Sequence, residues 1–168
     1  MVWGHEHECQ LELRTIESTG VRILQPGSTV PTSLIEAESK LKHSFRLKVN
    51  LERMNLEPIR LERQRLMLYR QVELSKTGVP KERKLMLEAY IKQQVQQLLD
   101  EYDRTFAADM TMDDMNDPKS YRAMPLVRIK VDYSGGYQTL NLKRFGEEFR
   151  GKIANPDSFL KFYKFQTK

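Results

Sequence analysis

The chain has 168 residues, 39% of them hydrophobic and 30% charged, with a net charge of +5. That is enough to bury one core, or one domain with part of another, and no apolar run approaches the ~18 residues that span a bilayer, which argues against an integral membrane protein. The charge alternates along the chain: residues 1–39 carry −4, 40–84 carry +8, 85–125 carry −4 and 126–168 carry +5. The two basic blocks are expected either to face a polyanion or to be solvated helix faces.

The opening Met1-Val2-Trp3-Gly4 predicts the end of a short buried strand that turns at Gly4. A domain rarely opens on a core strand, so further chain is expected before Met1. Glu6, Glu8, His5 and His7 stand where a secretory leader needs a basic start and an apolar stretch. The single cysteine, Cys9, cannot form an internal disulfide and suits a reducing compartment. Val21 to Leu24 predicts a strand, closed by the loop Gln25-Pro26-Gly27-Ser28. A short helix is expected near Ser33 to Lys40. Phe45, Leu47 and Val49 alternate with polar residues, the pattern of a half-buried strand.

From Asn50 the texture becomes charged and proline-punctuated, predicting a linker over residues 50–80, with residues 51–74 running into extended or helical structure. Pro80 then precedes a helix whose Leu87, Ile91, Val95, Leu98 and Tyr102 fall on one face. Ala107 to Pro118, rich in Asp and Met, is expected to be a surface loop. Leu126 to Tyr133 alternates apolar residues with Arg128, Lys130 and Asp132, predicting a strand with one basic face. Ser134-Gly135-Gly136 turns the chain. Phe145, Phe149 and Ile153, four apart, predict a short helix. A last helix is expected from Asn155 as N-cap and Pro156 at its first position, with Phe159, Phe162 and Tyr163 turned to the core.

One constellation carries chemistry. Gly4-His5-Glu6-His7 places two imidazoles two residues apart at a strand end, where a glycine lets the backbone turn both toward one pocket. Neutral imidazole ligates Mn, Fe and Zn, and a two-metal phosphoesterase centre holds ions ~3.5–4 Å apart that clamp a phosphate and activate water. The motif alone is weak, because two nearby histidines also occur as ordinary surface or core residues.

Four runs in order strengthen it: Trp3-Gly4-His5-Glu6-His7-Glu8-Cys9; Gln25-Pro26-Gly27-Ser28-Thr29-Val30 with Thr32-Ser33-Leu34; Pro125 through Gly136; and Ala154-Asn155-Pro156. Together they bracket nearly the whole chain. In these runs the sequence resembles the eukaryotic double-strand-break repair nucleases of the meiotic recombination eleven family. The resemblance implies a mixed α+β fold: the C-terminal end of a calcineurin-like phosphoesterase β-sandwich over residues 1–49, a linker over 50–80, and an α/β capping, DNA-binding domain, itself truncated, over 81–168. Ser44-Phe45-Arg46 departs from the glycine-containing strand start of the family, and residues 61–74 match it loosely.

By the same resemblance, His5 and His7 are manganese ligands, one to each of two ions, while Glu6 and Glu8 are not ligands. Trp3 would pack beneath the site, Cys9 would be a buried thiol without a catalytic role, and His43 would be structural. The remaining ligands and the catalytic histidine of the family are absent from this chain, so it contributes no catalytic residue and is expected to be inactive by itself. A capping domain must grip the phosphate backbone, and Arg128, Lys130, Lys143, Arg144, Arg150 and Lys152 are the candidate contacts, without sequence readout. The implied partners of the complete nuclear protein are DNA, an SMC-like ATPase, nibrin and a second copy of itself. Two other readings stay open: a stand-alone, non-catalytic DNA-binding module, and a partner-binding protein that docks through the loop at 107–118.

Overall fold

The computed structural model describes residues 1–50, 53–61, 64–109 and 124–165. The chain divides into two compact units, Met1–Met67 and Leu68–Lys168.

The first unit is built from hairpins. Strands β1 (Arg14–Ile16) and β2 (Val21–Ile23) pair antiparallel, joined by a turn in which Gly20 takes φ +66 and its N–H reaches Ile16 O at 2.8 Å. Val2 bridges Leu24 in parallel, and Leu24 is buried. A single 3-10 turn spans Glu36–Ser39. Strands β3 (His43–Val49) and β4 (Met54–Arg60) pair antiparallel from His43↔Arg60 to Val49↔Met54.

Two expectations of burial fail here. Val2 and Trp3 are 63% and 45% exposed rather than buried, and Val49, on the expected half-buried strand, is 63% exposed. Val2 meets Leu24 at one isolated bridge outside any sheet, and the β3-β4 hairpin that holds Val49 has no second layer of its own against which to bury an alternating face. The stretch expected as a linker, residues 50–80, carries β4, strand β5 (Met67–Glu73) and a 3-10 turn at Leu74–Lys76. Its charged residues hid the alternation: in β4, Met54 and Leu56 are half-buried while Asn55 and Glu57 face solvent.

The second unit is an α+β layer structure. Its sheet has the order β5-β6-β7, with β6 (Leu126–Asp132) central and parallel to β7 (Leu160–Tyr163). Helix α1 (Lys84–Asp109) presents Leu87, Ile91, Val95, Leu98 and Tyr102, all buried as the periodicity predicts. They share a core with Val127, Ile129 and Val131, each fully buried, except that Tyr102 is buried without belonging to that cluster. Arg70 of β5 straps the sheet to the helix through Gln97 Oε1 at 2.9 Å and Glu101 Oε1 at 2.6 Å. Of the loop expected at 107–118, residues 107–109 belong to α1, and the others lie outside the described residues.

Gly135 and Gly136 take φ +91 and +95, as the turn requires. Parallel strands need a crossover of a dozen residues or more, and here it contains helix α2 (Leu142–Glu147), capped by Asn141, whose side chain accepts from Arg144 N. Phe145 lies on α2, whereas Phe149 and Ile153 follow it in turns, and all three are buried.

The expected last helix is not formed. Asn155 uses its amide differently: its Oδ1 accepts from Val127 N and its Nδ2 donates to Val127 O, both at 2.9 Å. The side chain thereby continues the ladder at the start of β6, and the chain enters β7 with Phe159 O accepting from Ile129 N at 2.8 Å. The same oxygen that caps a helix serves a strand here, and the aromatic run Phe159–Tyr163 has the residue types that pack on a pleated surface. Phe159 is fully buried and stacks on Phe145, so its expected core role holds without the helix.

Candidate functional site

The histidine turn is held by the loop that follows β2. Ser28 N donates to His7 O at 3.2 Å, and Gln25 Nε2 donates to Glu8 O at 3.1 Å. Gly27, at φ +73, passes so close that a Cβ there would lie 2.7 Å from Cys9 N and 2.8 Å from His7 O. Replacing Gly27 with alanine therefore combines a left-handed backbone with a backbone collision. We expect a loss of about 2 kcal/mol, read as a lower urea midpoint in the fluorescence of Trp3, the single tryptophan.

His7 is half-buried and His5 exposed. The Nδ1 of His7 lies 2.8 Å from Glu38 Oε1 and 3.0 Å from Thr32 Oγ1. Glu38 is 1% exposed and is the hub of the site. It accepts from Thr32 N at 3.0 Å, Thr32 Oγ1 at 2.7 Å and Ser28 Oγ at 2.6 Å, and pairs with the equally buried Lys42. Lys42 Nζ also donates to Ser28 Oγ at 2.9 Å and to His7 O at 3.4 Å. Burial alone would raise the Glu38 carboxyl, but hydrogen bonds from Lys42, Ser28 and Thr32 outweigh it and hold the group down at about 2.

The donor set suits a transition metal in part. Both contacts to the His7 ring fall on Nδ1, a hydrogen-bond contact with Thr32 Oγ1 and an approach to the Glu38 carboxylate, which leaves Nε2 free to ligate. Among the described residues, no group of three or more His, Cys, Asp and Glu comes together that would hold an ion. Trp3, expected beneath the site, is exposed and touches His5 ring edge to face at 6.4 Å. It is uncovered because its strand pairs at one bridge with Leu24 and lies in no sheet. Cys9 is half-buried, with burial raising its thiol, and its Sγ lies 3.7 Å from His43 Nδ1.

The six basic candidates do not form one surface. Val127, Ile129 and Val131 point to the helix side of the sheet, so the alternate residues Arg128 and Lys130 point to the other side. Lys161 and Tyr163 join them there, being paired with Lys130 and Asp132. Arg128 is partly buried, which lowers its guanidinium, and it donates to Ser158 O at 3.0 Å. The Lys130 ammonium lies 5.1 Å from the centre of the Tyr163 ring. Lys143, Arg144, Arg150 and Lys152 are exposed in α2 and the turns after it, and α2 buries Phe145 into the helix-side core. Arg150 is committed to Glu147 through two contacts at 2.8 and 2.6 Å.

Residues 54–168 match the family described as the Mre11 DNA-binding presumed domain. The chain belongs to the Mre11 family. Over its whole length it is 37% identical to the double-strand break repair protein MRE11 of Arabidopsis thaliana. Over 98% of its length it is 35% identical to that of Oryza sativa subsp. indica and 31% to that of Rattus norvegicus. It spans 22% of the Arabidopsis thaliana protein and 23% of the rat protein. The Mre11 DNA-binding match begins at β4, which by pairing belongs with β3 in the first unit, so the sequence match and the compact units divide the chain at different places.

Reading the sequence alone missed Glu38, Thr32, Ser28 and Lys42. Thr32 and Ser28 lie within the runs that carry the Mre11 resemblance, and Glu38 and Lys42 stand four apart, a spacing shared by countless solvated ion pairs. Nothing local marks this pair as buried. No helix among the described residues is long and apolar enough to cross a membrane.

Proposed function

We propose that this chain is the part of a manganese-dependent DNA nuclease, acting in double-strand-break repair and meiotic recombination, that supplies two metal ligands and the DNA-facing domain. The observation that carries this reading is the match of residues 54–168 to the Mre11 DNA-binding domain, supported by relatives named as double-strand break repair proteins. Residues 1–49 then close a calcineurin-like phosphoesterase domain. His5 and His7 hold one manganese each, and the other ligands and the catalytic histidine come from chain outside this segment. The metal pair supplies Lewis-acid polarisation of the scissile phosphodiester and activation of the attacking water. The chain's own part is to hold the His7 ring by Nδ1 and its backbone by Ser28 and Gly27, and to hold DNA phosphates. The complete protein acts in the nucleus, with an SMC-like ATPase, nibrin and a second copy of itself as partners.

Arg128, Lys130 and Lys161 on the sheet face, and Lys143, Arg144 and Lys152 around α2, are the cations offered to phosphate, while Arg150 is already paired with Glu147. Fluorescence anisotropy with duplex DNA tests this on the chain itself. Binding should weaken linearly in log–log plots against salt, and replacing both Arg128 and Lys130 with alanine should flatten the slope by up to about 2. A slope unchanged by that pair would remove the sheet face from the DNA interface. In the full-length protein, His7→Asn should lower exonuclease turnover by more than about 100-fold with manganese. Wild-type turnover in that variant would refute the metal reading.

A further inference from the structure

We propose that Glu38 and Thr32 are positioning residues for His7, fixing its ring as the Nδ1–H tautomer so that Nε2 is the nitrogen presented to the metal. The inference rests on the reading that His7 is a ligand, and it adds two residues to which no role was assigned from the sequence.

The count of hydrogens around His7 Nδ1 fixes the tautomer. The Thr32 hydroxyl has a single hydrogen, and it goes to Glu38 Oε1 at 2.7 Å. Toward the His7 ring, 3.0 Å away, Thr32 Oγ1 therefore offers lone pairs. Glu38 receives donors from Thr32 N, Thr32 Oγ1, Ser28 Oγ and Lys42 Nζ, the environment of an ionised carboxylate, which accepts and does not donate. Its Oε1 lies 2.8 Å from Nδ1, so its negative charge also favours a hydrogen on that nitrogen. With Thr32 lone pairs facing Nδ1 and the carboxylate charge beside it, the hydrogen sits on Nδ1, and in the neutral ring the Nε2 lone pair is left for coordination.

The backbone of His7 is fixed by the same segment. Its carbonyl accepts from Ser28 N and Lys42 Nζ, and Gly27 sits against it. Ring and backbone are both held by residues 27–42, before any ion arrives. Such support is what keeps a ligand within the ~0.5 Å tolerance of a working site. The exposed His5 has no carboxylate partner among the described residues, which makes the two histidines unequal.

Two-dimensional NMR of the metal-free chain labelled with ¹⁵N-histidine reads the tautomer directly. At pH 8.5, about two units above the ordinary imidazole value, His7 should show the Nδ1–H pattern, and His5 the Nε2–H form that free imidazole side chains favour. An Nε2–H pattern at His7 overturns the proposal and requires no variant. In the full-length protein, Glu38→Gln should weaken manganese binding by about 10–100-fold, measured by electron paramagnetic resonance of free manganese. Should that variant fail to fold, Thr32→Val should weaken binding by less and in the same direction. Unchanged manganese affinity in a folded variant overturns the positioning role. If instead His7→Asn leaves manganese affinity intact while His7 keeps its Nδ1–H form, the ligand reading fails and the hydrogen-bond geometry stands.

Discussion

Replacing Lys42 with methionine is expected to destabilise the first unit by about 3–5 kcal/mol. Lys42 and Glu38 are each 1% exposed, and Lys42 is the cationic partner of the carboxylate. A methionine keeps much of the volume and removes the charge, so Glu38 would be left ionised in a dry site with only hydroxyl and amide donors. A buried charge without its partner costs far more than an intact pair contributes, because desolvation of both ions offsets most of their attraction. Replacing both residues with apolar side chains should therefore recover most of the loss. Urea titration followed by Trp3 fluorescence measures both effects. A single substitution costing less than about 1 kcal/mol would mean that water reaches the pair.

In the second unit, Ile129→Ala should cost about 2–5 kcal/mol. Ile129 is fully buried at the centre of β6, pairs with Leu160 of β7, and donates its N–H to Phe159 O. Strand neighbours on two sides and α1 above leave the site little freedom to collapse around a missing side chain, which places it toward the upper end of that range. Lys161→Ala, at an exposed position of the neighbouring strand, should change stability by no more than about 0.5 kcal/mol. The check is thermal unfolding followed in the near-ultraviolet circular dichroism of the tyrosines. Equal effects of the two substitutions would mean that this sheet is not the core.

Much of the second unit was legible in the sequence because its elements bury one face each. Helix α1 could be read from five apolar positions, and β6 from its alternation, since both patterns exist only when one face meets a core. The aromatic segment after Pro156 was misread because Asn-Pro at the start of an apolar run is the signature of a helix N-terminus, and only the neighbouring Val127 turns the Asn155 amide into part of a sheet ladder. Likewise, the basic residues could be found from composition, yet their division between the two sides of the sheet follows from which alternate face α1 covers.

The family, the histidine turn and the glycine that lets the next loop close on it can be read from the residues alone, because these depend on residues close together in the chain or on motifs read whole. Folding set the rest. It buried Glu38 and Lys42, brought Thr32 and Glu38 to the Nδ1 of a histidine 25 and 31 positions away, and chose strand over helix at β7. The physical reason is common to all three. Burial and hydrogen-bond partnership across long stretches of chain are set by which surfaces meet, and local propensity carries no information about that meeting.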